Sequence, residues 1–129
     1  MTTTTTTRAT PRDLHQALAD AFNRRNLDEI LGLYAEGATL APQPGQSVTG
    51  KKEIAQALQG FLAVPGTMRI DTVYTLEAGP LALTRSLWSI REGSETRIEA
   101  RGTEVMVRGA DGNWRFAVDH PFGADDKSW

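Results

Sequence analysis

Residues 81–108 read LALTRSLWSIREGSETRIEARGTEVMVR, two strand-like runs, Leu81 to Arg91 and Thr96 to Arg108, parted by the turn-forming Glu92-Gly93-Ser94-Glu95. Outward from this hairpin, strand-like runs recur at Thr67 to Glu77 and Trp114 to His120. The breaks Ala78-Gly79-Pro80 and Gly109-Ala110-Asp111-Gly112-Asn113 supply residues that tolerate tight turns. Upstream the period changes. Thr10 can cap a helix that has Pro11 in its first turn and Asp13 at its positive end, with Leu14, Leu18, Ala21 and Phe22 on one stripe and an end near Arg25. Asn26 caps a second helix, Leu27 to Tyr34, and Ala38 to Ala41 reads as a short strand stopped by Pro42-Gln43-Pro44-Gly45. Ile54, Leu58, Phe61 and Leu62 make a third helix of Lys51 to Ala63. Helices followed by long antiparallel strands predict an α+β fold, the helices covering one face of the sheet.

The chain has 129 residues, enough for one domain, read as 11–123 between a threonine-rich tail at 1–10 and a C-terminal tail at 124–129. Fourteen Lys and Arg against sixteen Asp and Glu give a net charge of −2, which disfavours nucleic acid as a partner. Without cysteine there is no disulfide framework, thiolate metal site or cysteine nucleophile. No apolar run approaches the roughly 20 residues that span a bilayer, and the N-terminus lacks a secretory pattern, so no membrane association and a cytoplasmic location are expected. His15 and His120 are the only histidines and form no ligand pair, and His15 is read as lying on the surface of the first helix. GxGxxG, P-loop and GxSxG patterns are absent. No cofactor and no metal can be inferred. Arg24-Arg25 and Lys51-Lys52 read as solvated helix ends.

The segments Phe22-Asn23-Arg24-Arg25-Asn26-Leu27-Asp28-Glu29-Ile30, Leu33-Tyr34-Ala35, Gly50 with Ile54, and Gly112 through Gly123 occur in the order and spacing of one superfamily. From Pro11 to Gly123 the chain resembles the nuclear transport factor 2-like proteins, in their bacterial SnoaL-like and ketosteroid-isomerase-like branch. The resemblance implies a cystatin-like cone, in which three helices close a strongly curved, mostly antiparallel sheet around an internal pocket, and dimerisation through the sheet. It also implies, for steroid isomerisation, a tyrosine on the first helix, an aspartate base near the first strand and a protonated aspartate on a later strand. Anchored on Leu27-Asp28, these positions fall at about Leu18, Pro42 and Thr103, none of which can take its role.

Strand parity supplies the remaining candidates. Trp114, Phe116, Val118 and His120 share a face taken as inward, with Asp119 left on the outside as a surface or turn carboxylate. His120 then reads either as a hydrogen-bonded structural histidine or as an acid/base that touches the ligand. On the preceding strand Glu99, Arg101, Thr103, Val105 and Val107 are taken as the inward set. Arg101 becomes a clamp for an anionic group or a salt-bridge partner of Glu99 or another nearby acid. Trp88 offers either a flat wall for a ring-shaped ligand or ordinary core or dimer-interface packing, and Tyr34 either packing or a polar tip for the ligand. Leu18, Phe22, Phe61, Val105, Phe116 and Val118 complete the expected apolar lining.

These residues predict a small-molecule binding protein for an apolar ligand with one polar or anionic group. The alternative is an isomerase, cyclase or hydrolase with His120 as acid/base. Leu81, Leu83 and Leu87 oppose Trp88 and Ile90 in parity, and Met106 opposes Val105 and Val107, so both sheet faces need cover. A two-fold homodimer through the convex sheet, burying on the order of 1,500 Å², is therefore expected.

Overall fold

Thr10 opens the first helix as its residue type requires. Its side chain accepts from the Asp13 backbone N–H at 3.1 Å while Asp13 accepts from the Thr10 N–H, a reciprocal capping box with Pro11 in the first turn. The structure, a computed structural model, describes residues 7–125. Most of both expected tails therefore lies outside the described residues. Contacts begin before Pro11, however: Arg8 is buried, its backbone N–H donates to Asn113 Oδ1 and its Nε to the Trp114 carbonyl. At the other end Ala124 N–H donates to the Arg101 carbonyl, and Asp125 Oδ1 accepts from Arg101 N–H.

Helix α1 spans Pro11–Asn23 and α2 Leu27–Leu31. Then come β1, Tyr34–Leu40, β2, Val48–Thr49, and α3, Lys51–Leu62. Four strands follow: β3, Thr67–Ala78, β4, Leu81–Glu92, β5, Glu95–Arg108, and β6, Trp114–His120. Helix α1 stops short of Arg25 because Arg25 has φ 53°, where a right-handed helix cannot continue. Arg25 is not simply a solvated end: its guanidinium donates to the carbonyls of Phe22, Val64 and Gly66 and lies 4.3 Å over the Phe22 ring. Tyr34 opens β1 instead of ending α2, which closes after one turn at Gly32. The two-residue β2 was not expected from sequence.

One open sheet runs in the order β2-β1-β6-β5-β4-β3, antiparallel throughout except for the β1–β6 pair. Gly79 and Gly93 turn its two long hairpins at φ 57° and 61°. The core lies between the helices and one sheet face and contains Leu14, Phe22, Ile54, Ile90, Met106, Trp114 and Phe116. Each of its large side chains contributes about 1.5–3 kcal/mol by burial.

Register irregularities decide which side chains reach that core. Met106 pairs with Phe116 but Val105 pairs with Val118, so Ala117 is an extra residue in β6. A bulge bends its strand and reverses parity beyond it. Trp114 and Phe116 point inward as expected, but past Ala117 the inward residue is Asp119, while Val118 is 42% exposed.

Candidate functional site

Glu104 and Asp119 face each other across β5 and β6, Thr84 stands opposite Glu104 on β4, and all three are buried. A buried carboxylate must be hydrogen-bonded or neutralised. Glu104 accepts from the hydroxyls of Thr84 at 2.6 Å and Ser86 at 2.7 Å, and is 2.7 Å from His15 Nε2. A carboxylate has only acceptors, so it fixes Nε2 as the protonated nitrogen of His15. His15 Nδ1 lies 2.6 Å from the Thr72 hydroxyl. That hydroxyl can donate to a neutral ring or accept from an imidazolium, so His15 keeps both bonds in either charge state.

Close approach is built into the backbone here. A Cβ added to Gly102 would stand 2.6 Å from Ser86 Oγ and 2.7 Å from Glu104 Oε2, so only glycine leaves room for that pair.

Among the described residues the Asp119 carboxyl has a single hydrogen bond, from the Tyr34 hydroxyl at 2.6 Å. Burial, reinforced by the negative charge of Glu104, pushes the Asp119 carboxyl up to about 7, against the opposing pull of Tyr34 and His15. Burial and the adjacent carboxyl hold the Tyr34 phenol well above the ordinary tyrosine range, so it stays a donor.

His15, Ser86, Glu104, Tyr34 and Asp119 form the polar part of a hollow whose other walls include Leu18, Phe22, Leu40, Leu58, Phe61, Met68, Trp88 and Phe116. The centre of a water molecule can occupy about 50 Å³ of it, several times what one water needs. Phe61, Trp88 and Phe122 pack edge and face at 5.5–6.4 Å, and Trp88 Nε1 donates to the Pro121 carbonyl at 2.7 Å, fixing the ring that borders the space.

Of the residues expected from sequence, Leu18, Phe22, Tyr34, Phe61, Trp88 and Phe116 border this hollow. Arg101, Thr103, Val105, Val118 and His120 do not, and their inward assignment is corrected. On β5 the buried set is Ala100, Gly102, Glu104 and Met106, the opposite parity from the one inferred. Arg101 is exposed, so the inward clamp does not hold, and Glu99 ion-pairs with Arg91. His120 pairs with Thr103 on the other side of the sheet, its ring under the Gly123 turn. The site takes its acid instead from Glu104, one residue beyond the Thr103 position, and from Asp119. His15, taken as a surface residue, is 2% exposed. Its spacing of three from Leu18 and seven from Phe22 was the signal that places it on the buried stripe.

Among the described residues, no group of three or more His, Cys, Asp or Glu side chains is arranged to hold a metal ion, and no helix is long and apolar enough to cross a membrane.

Known proteins share this fold. The family model of the SnoaL-like domain matches residues 15–118, and the chain belongs to that family, within the nuclear transport factor 2-like branch. No curated protein matches it by sequence. A solved structure from Thiobacillus denitrificans, named for the calcium/calmodulin-dependent protein kinase type II association domain, superposes with TM-score 0.75 at 19% identity, covering 88% of this chain and 94% of that one. A domain with a cystatin-like fold from Nostoc punctiforme gives 0.70 at 22% identity, covering 84% and 71%. A ketosteroid isomerase-like protein from Erwinia carotovora atroseptica gives 0.62 at 21%, covering 82% and 87%. At these identities the likeness is one of fold.

Proposed function

We propose that this chain binds a small apolar molecule inside a cone closed by the helices, with the polar end of the ligand at Asp119 and Glu104. The observation that carries the reading is the composition of the hollow: nearly all its walls are apolar, and its ionisable groups form two adjacent hydrogen-bonded pairs, His15 with Glu104 and Tyr34 with Asp119. The expected anionic ligand group is given up, because the hollow has two carboxyls and no arginine or lysine. A ligand selective for the folded state raises the melting temperature. A panel of hydrophobic alcohols, amines, ketones and lactones is expected to contain members that do so, and Leu18→Trp, which fills the space, is expected to abolish the shift. No shift across the panel overturns the reading.

A second reading, an isomerase, cyclase or hydrolase, is favoured by one observation: Asp119 borders the hollow with its carboxyl pushed to about 7, where it can both take and return a proton. Asp119 replaces His120 as the acid/base, with His15 and Glu104 beside it. Protein-catalysed exchange of deuterium from D₂O into an acidic C–H of a bound ligand, lost in Asp119→Asn, is the expected signature. Exchange unaffected by that substitution removes the reading.

The same proposal covers assembly. Leu76 pairs with Leu83, Leu83 with Val105, and Val105 with Val118, an apolar row across four strands on the face away from the helices. Leu76, Leu83 and Val118 are exposed in the single chain. A second copy packed on this row forms the homodimer, and light scattering should give twice the 14.1 kDa of one chain. The absence of cysteine fits a cytoplasmic setting.

A further inference from the structure

Hydrogen-bond bookkeeping around the hollow shows which kind of polar group it can receive. Each lining side chain with a polar hydrogen already spends it: His15 Nε2–H on Glu104, the Ser86 hydroxyl on Glu104, the Tyr34 hydroxyl on Asp119, and Trp88 Nε1–H on the Pro121 carbonyl. The other ring nitrogen of His15 is engaged with Thr72. Unused lone pairs remain on Asp119, whose carboxyl has Tyr34 as its one hydrogen-bond donor among the described residues, and on Ser86 and Tyr34, whose oxygens donate once and can still accept. The residual hydrogen is the proton of Asp119 itself.

We propose that the hollow recognises its ligand through acceptors, selecting a hydroxyl or ammonium group on an apolar skeleton over a ketone or carboxylate on the same skeleton. The proposal rests on the reading of the hollow as the ligand site. With Asp119 ionised, a ketone brings only acceptors to a wall of acceptors and leaves its oxygen desolvated and unpaired, which a buried polar group does not tolerate. A carboxylate adds a third negative group beside Glu104 and Asp119. A hydroxyl donates to Asp119 and gives up nothing. An ammonium does the same with a charge-assisted bond. Charged or titratable groups face Asp119 from three elements: Tyr34 from β1, Glu104 from β5 and His15 from α1. Of these only His15 can be cationic, and Glu104 already pairs with it.

The test uses the wild-type chain and four probes on one ring, cyclohexanol, cyclohexylamine, cyclohexanone and cyclohexanecarboxylate, with the decalin analogues as a larger set. Affinities are measured at pH 8, where Asp119 has given up its proton, by ligand-observed NMR with mutual displacement to establish a shared site. The alcohol and the amine should each bind at least tenfold more tightly than the ketone and the carboxylate. Calorimetry in buffers of different ionisation enthalpy at pH 6 separates the two donors: amine binding should release a proton from Asp119, and alcohol binding should not. Asp119→Asn supplies N–H donors at the same size, and should narrow or invert the alcohol-to-ketone ratio. A ketone or carboxylate that displaces the alcohol with equal or better affinity overturns the donor preference and leaves the site standing. Failure of every probe on both skeletons removes the ligand site, and the preference with it.

Discussion

Two rows of side chains one residue apart divide the sheet in an unusual way. On the helix side, Thr84, Glu104 and Asp119 line up across β4, β5 and β6, polar and at most 5% exposed. On the far side, Leu83, Val105 and Val118 line up across the same strands, apolar, with Leu83 and Val118 more than 40% exposed. The ordinary partition of apolar inside and polar outside is inverted. Where local rules fail in this way, a functional or interface role is the usual reason. The inner row is paired internally, Glu104 to two hydroxyls and His15 and Asp119 to Tyr34, while Leu83 and Val118 of the outer row are exposed in the single chain.

Breaking the inner row should have the largest effect. Glu104→Ala removes the side-chain acceptor of His15, Thr84 and Ser86 together and leaves Thr84 only the longer bond to the residue-104 carbonyl, so unfolding in urea should show a loss of about 3–5 kcal/mol. A loss below about 1 kcal/mol means that His15, Thr84 and Ser86 find other partners and that Glu104 does not hold the row together.

The inversion also explains what the sequence made legible. Helix starts at Thr10 and Asn26, the hairpin turns, and the span of β6 follow from local chemistry and stand as read, and the α+β class follows from them. Side-chain direction on β5 is a different matter. Val105 and Val107 are more apolar than Glu104, so burial by hydrophobicity selects the wrong face. The extra residue in β6 leaves no mark in its composition either, because Ala117 is unremarkable and the bulge shows only in the pairing of Met106 and Val105. Thus Asp119 and His120 exchange places, and the site lost two of its members to one parity error and one bulge. His15 alone was recoverable from helical spacing.

Next in size is the pH dependence of the inner row. An Asp119 carboxyl ordinarily near 3.8 and pushed to about 7 when folded binds its proton more tightly in the native state. Its contribution to stability is therefore complete below about pH 4 and lost as pH rises through 7, by up to about 4 kcal/mol at 1.36 kcal/mol per unit. Asp119→Asn does not ionise. The stability difference between variant and wild type, from urea titrations between pH 4.5 and 8, should grow in favour of the variant as pH rises; a flat difference places Asp119 as an ordinary carboxylate.

Gly102→Ala probes the same row from the backbone side. The new methyl would meet Ser86 Oγ and Glu104 Oε2 at 2.6 and 2.7 Å, and displacing either breaks a bond of the network, so a loss of about 1–3 kcal/mol is expected. Ser86→Ala in the Gly102→Ala background makes room and should return part of the second loss, a coupling visible in a double-mutant cycle. Additive losses mean that the two residues do not crowd each other.

The outer row should be the least sensitive as far as folding of one chain is concerned. Leu83 is 41% exposed, and Leu83→Ser removes only contacts that a single chain makes in part, so the monomer should change by about 0.5 kcal/mol. Association is where this substitution acts. A seryl side chain in the middle of the Leu76, Leu83, Val105, Val118 row puts a hydroxyl at the centre of an apolar contact, where burial without a partner costs about 1–3 kcal/mol for each of two symmetry-related copies. Sedimentation velocity across a concentration series should therefore show a dimer in the wild type and a shift toward 14.1 kDa in the variant, with the single-chain fold retained by circular dichroism. If wild type and variant both sediment as monomers, the apolar outer row needs a different explanation from a second copy. If both remain dimers, the contact runs through another face.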